Sequence, residues 1–113
     1  MNVIGQELNK DIIHKWLRIP NFIMIAGDIG SGRKTLSLYI AKHYGADIVP
    51  IGNKVDDVRE IIEDAKQLTF PRIYLIDSQG MRVGAKNTLL KITEEPPANC
   101  HIILLVNTVK KIL

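Results

Sequence analysis

The sequence predicts an α/β fold: a parallel sheet flanked by helices. Three observations lead there. Short, wholly apolar runs such as Phe22-Ile23-Met24-Ile25-Ala26 recur along the chain, as strands buried on both faces require. Segments with apolar residues at three-to-four spacing alternate with those runs. A glycine-rich loop, Gly27 to Gly32, follows the first run at once. Alternating strands and helices imply parallel strands joined by crossovers.

The elements follow in order. Leu8, Ile12, Ile13, Trp16 and Leu17 predict a helix over residues 7–18, ended by Pro20. The strand 22–26 and the glycine loop come next. Leu36, Tyr39 and Ile40 share a face, which predicts a helix over 35–43 with Gly45 just past its end. Residues 46–51 read as a short strand. Val55, Val58, Ile61, Ile62, Ala65 and Leu68 predict an amphipathic helix over 55–68, with Asn53 as a candidate cap. Ile73-Tyr74-Leu75-Ile76 predicts a strand over 72–77 that ends in Asp77. A helix over 85–95 is stopped by Pro96-Pro97, and 101–106 is another apolar strand. On this reading the core is cut short after a fourth strand, and residues 1–113 form part of one domain.

Composition sets limits. The 113 residues are 46% hydrophobic and 24% charged, as expected of a globular chain. No apolar run reaches the roughly 18 residues of a membrane span, and no signal-peptide pattern opens the chain, so the expected location is the cytoplasm. Cys100 stands alone, so neither an internal disulfide nor a cysteine zinc site is expected. The net charge of +3, mostly dispersed, only weakly suggests nucleic acid, and with 5% aromatic residues a base-stacking platform is not expected.

The glycine loop carries the chemistry. Gly27-Asp28-Ile29-Gly30-Ser31-Gly32-Arg33-Lys34-Thr35 approaches G-x-x-x-x-G-K-[ST], in which backbone N–H groups wrap a polyphosphate. Gly27 and Gly32 have the required spacing. Arg33 then takes the lysine slot and Lys34 the hydroxyl slot, with Thr35 one place late. Shifting the register to use Lys34 and Thr35 would set Asp28 and Arg33 where glycines belong. Arg33 keeps a cation but forks where lysine is a point charge. Lys34 offers no oxygen to Mg²⁺. Weak or metal-independent binding of ATP or ADP is therefore expected, with little or no role for Mg²⁺. A bare strand-to-helix turn is the plainer alternative. Asp77 ends an apolar strand, where such proteins place an acid near the metal. Ser78 follows it, and a serine without a partner is a poor general base. Asn107, or Thr108, ends the last strand where a polar group would reach a terminal phosphate. The candidate binding set is Gly27, Gly30, Gly32, Arg33, Lys34, Thr35, Asp77 and Asn107, with no catalytic residue and no metal ligand.

Asn87-Thr88-Leu89-Leu90-Lys91-Ile92-Thr93-Glu94-Glu95-Pro96-Pro97 resembles the N-A-L-L-K-x-L-E-E-P-P signature of bacterial DNA polymerase III clamp-loader subunits, the delta-prime and gamma/tau types of the AAA+ P-loop family. Val3-Ile4-Gly5-Gln6 is similar to the family's opening I-G-Q, and Val55 to Ile61 to its V-x-x-I-R-E-L helix. Residues 102–111 resemble its sensor strand and turn. The family's active members carry G-K-[ST] and D-E-A where this chain has Gly32-Arg33-Lys34 and Asp77-Ser78-Gln79. The resemblance implies a catalytically silent subunit, closer to delta-prime. It would assist loading of the sliding clamp on primed DNA together with other loader subunits. The family's zinc module, helical lid and collar have no counterpart in these residues. An active gamma/tau-type ATPase with a distorted loop is the alternative. An unrelated P-loop binder or kinase would not explain the E-E-P-P segment.

Overall fold

The computed structural model describes residues 2–4, 10–28 and 30–107. Strand β1 (Asn2–Ile4) and helix α1 (Lys10–His14) are followed by β2 (Phe22–Gly27), α2 (Arg33–Tyr44), β3 (Asp47–Ile51), α3 (Val55–Ala65), β4 (Arg72–Asp77), α4 (Val83–Glu94) and β5 (Cys100–Asn107). The five strands form one sheet in the order β1-β2-β5-β4-β3, and every pairing is parallel.

Parallel neighbours need crossovers, and crossovers of one hand place helices by direction of travel. From β1 to β2 and on to β3 the chain moves one way across the sheet. Ile13 of α1 and Leu36 and Ile40 of α2 pack on one face, against Ile23, Ile25, Ile73, Ile103 and Leu105. From β3 to β4 and β5 the chain moves back. Val58 and Ile61 of α3 and Leu89 and Ile92 of α4 accordingly cover the other face, with Tyr74, Ile76, Ile102 and Leu104. Ile73, Ile76 and Ile103 are fully buried, so β4 and β5 read as unbroken apolar runs.

The element bounds depart from the sequence reading in several places; α3, expected over 55–68, ends at Ala65. The expected helix over 7–18 is helical among the described residues only at Lys10–His14. A turn closes it well before Pro20, with the Lys15 N–H on the Ile12 carbonyl. The expected fourth and last strand is the fifth, because Asn2–Ile4 adds an edge strand beside β2. Three residues carry no readable alternation; pairing with Ile23–Ile25 makes them a strand. Asn53 does not cap α3. Lys54 takes the cap position, and its N–H donates to the Asp57 carboxylate at 3.1 Å. The helices α2 and α4 each begin two residues earlier than their apolar spacing indicates, at Arg33 and Val83.

Long-range polar ties fix the ends. Gly45 closes α2 at φ 63°, a left-handed conformation that suits glycine. The Tyr44 hydroxyl lies 2.8 Å from the Ile13 carbonyl and 3.0 Å from that of Trp16, holding the end of α1 against α2. Arg72 at the start of β4 donates to Asp47 of β3 and to Asp64 of α3, both at 2.9 Å. The Tyr74 hydroxyl donates to the same Asp64 carboxylate. Asn53 donates to the carbonyls of Asp77 at 2.8 Å and Gln79 at 2.7 Å, which ties the turn after β3 to the turn after β4. β3 forms one outer edge of the sheet and carries Pro50. On the α3/α4 face, a groove of about 340 Å³ remains open between α4 and strands β2 and β5, lined by Phe22, Met24, Leu89, Leu104 and Val106.

Two expectations follow from these ties. Hydrogen bonds from Tyr74 and then Arg72 hold the Asp64 carboxyl below the usual range. A carboxyl lowered in the folded state contributes stability above its unfolded pKa of about 4. That contribution is lost as pH falls through the folded value. Urea unfolding between pH 3 and 7 will show a shallower acid limb for Asp64→Asn than for the wild type. Asn53→Ala will cost about 1 kcal/mol for the lost bonds to the two carbonyls, read in the same titration at pH 7.

Candidate functional site

β2 runs apolar to Ala26 and ends at Gly27 because the chain folds back there. A Cβ on Gly27 would lie 2.7 Å from Ser31 Oγ and 3.5 Å from Arg33 Cγ, so a larger residue would force the loop apart. The Ser31 N–H closes a turn on the Asp28 carbonyl at 3.0 Å. Gly30 and Gly32 sit at φ 84° and 92°, where a side chain would be strained. Gly32 also caps α2, accepting the Leu36 N–H at 2.9 Å. The first N–H groups of α2 are left without helical partners and face the loop end, a disposition that suits an anion.

Arg33 opens the helix and is only 9% exposed. Its aliphatic stem packs beside Gly27. Its Nη1 is buried and has no hydrogen-bond partner among the described residues. The Arg33 carbonyl accepts from the buried Ser37 hydroxyl at 2.9 Å, which fixes the first turn. Lys34 and Thr35 are exposed. With Arg33, Gly30 and Gly32 they line a cavity of about 400 Å³, closed on its other side by Asp77 and Gln79.

The opposite wall comes from the end of β4. Asp77 Oδ1 accepts the Gln79 N–H at 2.9 Å, a short side-chain-to-backbone turn that engages one carboxylate oxygen. Ser78 lines the apolar groove beside α4 and not the loop cavity, and its N–H donates to the Leu105 carbonyl at 2.9 Å. Gly27 and Asn107 are direct register partners at the ends of β2 and β5. Asn107 Oδ1 is buried without a partner among the described residues.

Of the eight residues that the sequence singled out, Gly30, Gly32, Arg33, Lys34, Thr35 and Asp77 share the cavity. Gly27 and Asn107 lie at the adjoining strand ends. Thr108, the alternative to Asn107, lies outside the described residues, as do Ile29, Gly5 and Gln6. Sequence reasoning missed Gln79 as a wall residue. Its place two positions after Asp77 was the available signal, because an aspartate often accepts that N–H in a turn.

Comparison with known proteins found a family and a relative. The family model described as DNA polymerase III, delta subunit, matches residues 48–113, from β3 onward and beyond the glycine loop. The DNA polymerase III subunit tau of Bacillus subtilis (strain 168) is 37% identical over 76 aligned residues, which cover 59% of this chain and 13% of that protein. The chain thus corresponds to a small part of that relative's length. No solved structure matches. The match takes in β3 to β5 and the E-E-P-P segment, on a parallel α/β core of the P-loop type. The chain belongs to the DNA polymerase III delta-subunit family.

Proposed function

We propose that this chain serves in a clamp-loader subunit that does not itself hydrolyse ATP, of the delta-prime kind. The position of Ser78 carries the reading. Hydrolysis needs a group that orients or deprotonates the attacking water. The residue after Asp77 is a serine, and it faces the α4 groove rather than the loop cavity. Asp77, the one carboxylate among the described residues that line the cavity, already accepts a backbone N–H. Arg33 replaces the lysine, and Lys34 stands where a hydroxyl would meet Mg²⁺. ATP or ADP would bind weakly, and magnesium would add little.

A subunit without turnover acts through its surfaces. α4 presents Asn87, Leu90 and Lys91 to solvent, and Leu90 is half-exposed. This face would meet a neighbouring loader subunit. The clamp and primed DNA would be engaged through the assembled complex, in the cytoplasm. The likeness to a tau subunit supports a second reading, an active ATPase that uses Lys34 and Thr35.

Phosphate release by the full-length subunit separates the two. The silent reading expects no magnesium-dependent release above background; release that disappears in Lys34→Ala would establish the active one. In a reconstituted loader, Asn87→Glu with Lys91→Glu will reduce clamp loading about tenfold, the effect of roughly 1.4 kcal/mol at an interface. Unchanged loading would remove α4 from the contact.

A further inference from the structure

We infer that a second copy of this chain docks through two unlike surfaces: the protruding Lys15-Trp16-Leu17-Arg18 stretch of one copy enters the recess between α3 and β3 of the next. The contact is independent of nucleotide chemistry and uses surfaces other than that of α4.

Residues 15–18 follow α1, and the Tyr44 hydroxyl lies 3.0 Å from the Trp16 carbonyl. Trp16 packs half-buried against the α1/α2 core, so the stretch is anchored. Leu17 is 100% exposed. A single exposed leucine is ordinary on a protein surface. This one stands between two exposed cations, Lys15 and Arg18, and among the described residues neither joins an ion pair. From Lys10 to Arg18 the chain carries three cations and one acid, Asp11.

The receiving surface has the opposite character. α3 carries five acids and one base, Arg59. A recess of about 570 Å³ opens between α3 and β3, with Val49, Ile51 and Ile61 as its apolar lining. Ile61 is buried and the other two half-buried, so the apolar part lies deepest. Acids stand around it. Asp57 is taken by the Lys54 N–H and Asp64 by Arg72 and Tyr74. Arg72, the one cation among the described lining residues, is in turn held by Asp47 and Asp64. Glu60 and Glu63 are exposed at the mouth. Glu63 meets only Lys66, in an exposed pair of little strength. A leucine between two cations therefore matches an apolar floor beside two available carboxylates.

The fold keeps the two surfaces apart. α1 joins β1 to β2 at one border of the sheet, and α3 joins β3 to β4 at the other border, on the opposite face. One copy cannot bring its own stretch to its own recess. Pairing of α3 with α3 would set acid against acid, so a two-fold contact is disfavoured. A contact between unlike patches leaves one of each kind open at the ends, and the assembly grows as a row or closes as a ring. Its ion pairs are solvent-exposed, so salt weakens it.

Sedimentation velocity of the full-length protein at about 50 mM and about 500 mM salt decides. The expected result is association that grows with protein concentration at low salt and weakens about tenfold at high salt. Leu17→Ser should weaken it about tenfold with every charge in place. Lys15→Glu with Arg18→Glu should be monomeric, and so should Glu60→Lys with Glu63→Lys. Mixing these two double variants should restore association, because each then meets a surface of opposite charge; a folding defect would not be repaired by mixing. A wild type that stays monomeric at low salt, double variants that associate like the wild type, or a mixture that stays monomeric overturns the contact. A monomer that binds primed DNA, and loses that binding in Lys15→Glu with Arg18→Glu, also overturns it and assigns the stretch to nucleic acid. The silent-subunit reading fails separately, on magnesium-dependent phosphate release.

Discussion

The ladder between β2 and β5 is the constraint on which the site depends. These two strands are far apart in sequence and central in the sheet, and their six register pairs run from Phe22↔Ile102 to Gly27↔Asn107. That register sets the glycine loop level with the end of β5. The next ladder sets Asp77 against Leu105, so the end of β4 arrives at the same edge. A slip of one residue would turn Asn107 to the opposite face and send Ile103 out of its core. The buried isoleucines on both faces make such a slip costly, so the core specifies the position of the polar strand ends.

Around that edge, the loop backbone has the geometry proposed above for a phosphate, and its side chains depart from the G-x-x-x-x-G-K-[ST] pattern. Positive-φ glycines, a helix beginning after the loop and an acid at a strand end are all present. The chemistry-bearing positions differ: an arginine is sequestered, a lysine is exposed, and a serine faces an apolar groove. Binding geometry and turnover chemistry are thus separable here. The first is held by backbone conformation and packing, which the core enforces. The second needs particular functional groups that contribute little to folding. On the silent reading proposed above, loss of the second would leave the fold, and the α4 surface that it supports, intact.

Much of the fold was legible because buried parallel strands and amphipathic helices leave strong patterns. Ile73 to Ile76 and Ile102 to Leu105 are apolar at every position because both faces are covered. Val58, Ile61 and Ala65 fall on one stripe because α3 has one buried face. Asn2–Ile4 was not legible, since a three-residue strand exists only through its neighbour. The end of α1 was set by a turn and by Tyr44, whose contacts span distances that periodicity does not see. Asn53 has the residue type of a cap, but two carbonyls beyond β4 claim its amide. At the site, the glycine pattern and the strand-end acid gave most of the cavity. The burial of Arg33 was not legible, because a loop motif gives the order of residues and not the direction of a side chain.

The outer strand β3 carries Pro50, which has no N–H to give to a further strand. On the opposite side the sheet ends in β1, which contains no proline. The two borders therefore differ in their capacity for backbone pairing with another polypeptide. Lateral growth of the sheet is disfavoured at β3, and among the described residues no proline opposes it at β1. The border without proline lies on the same side as β2, the strand that leads into the glycine loop.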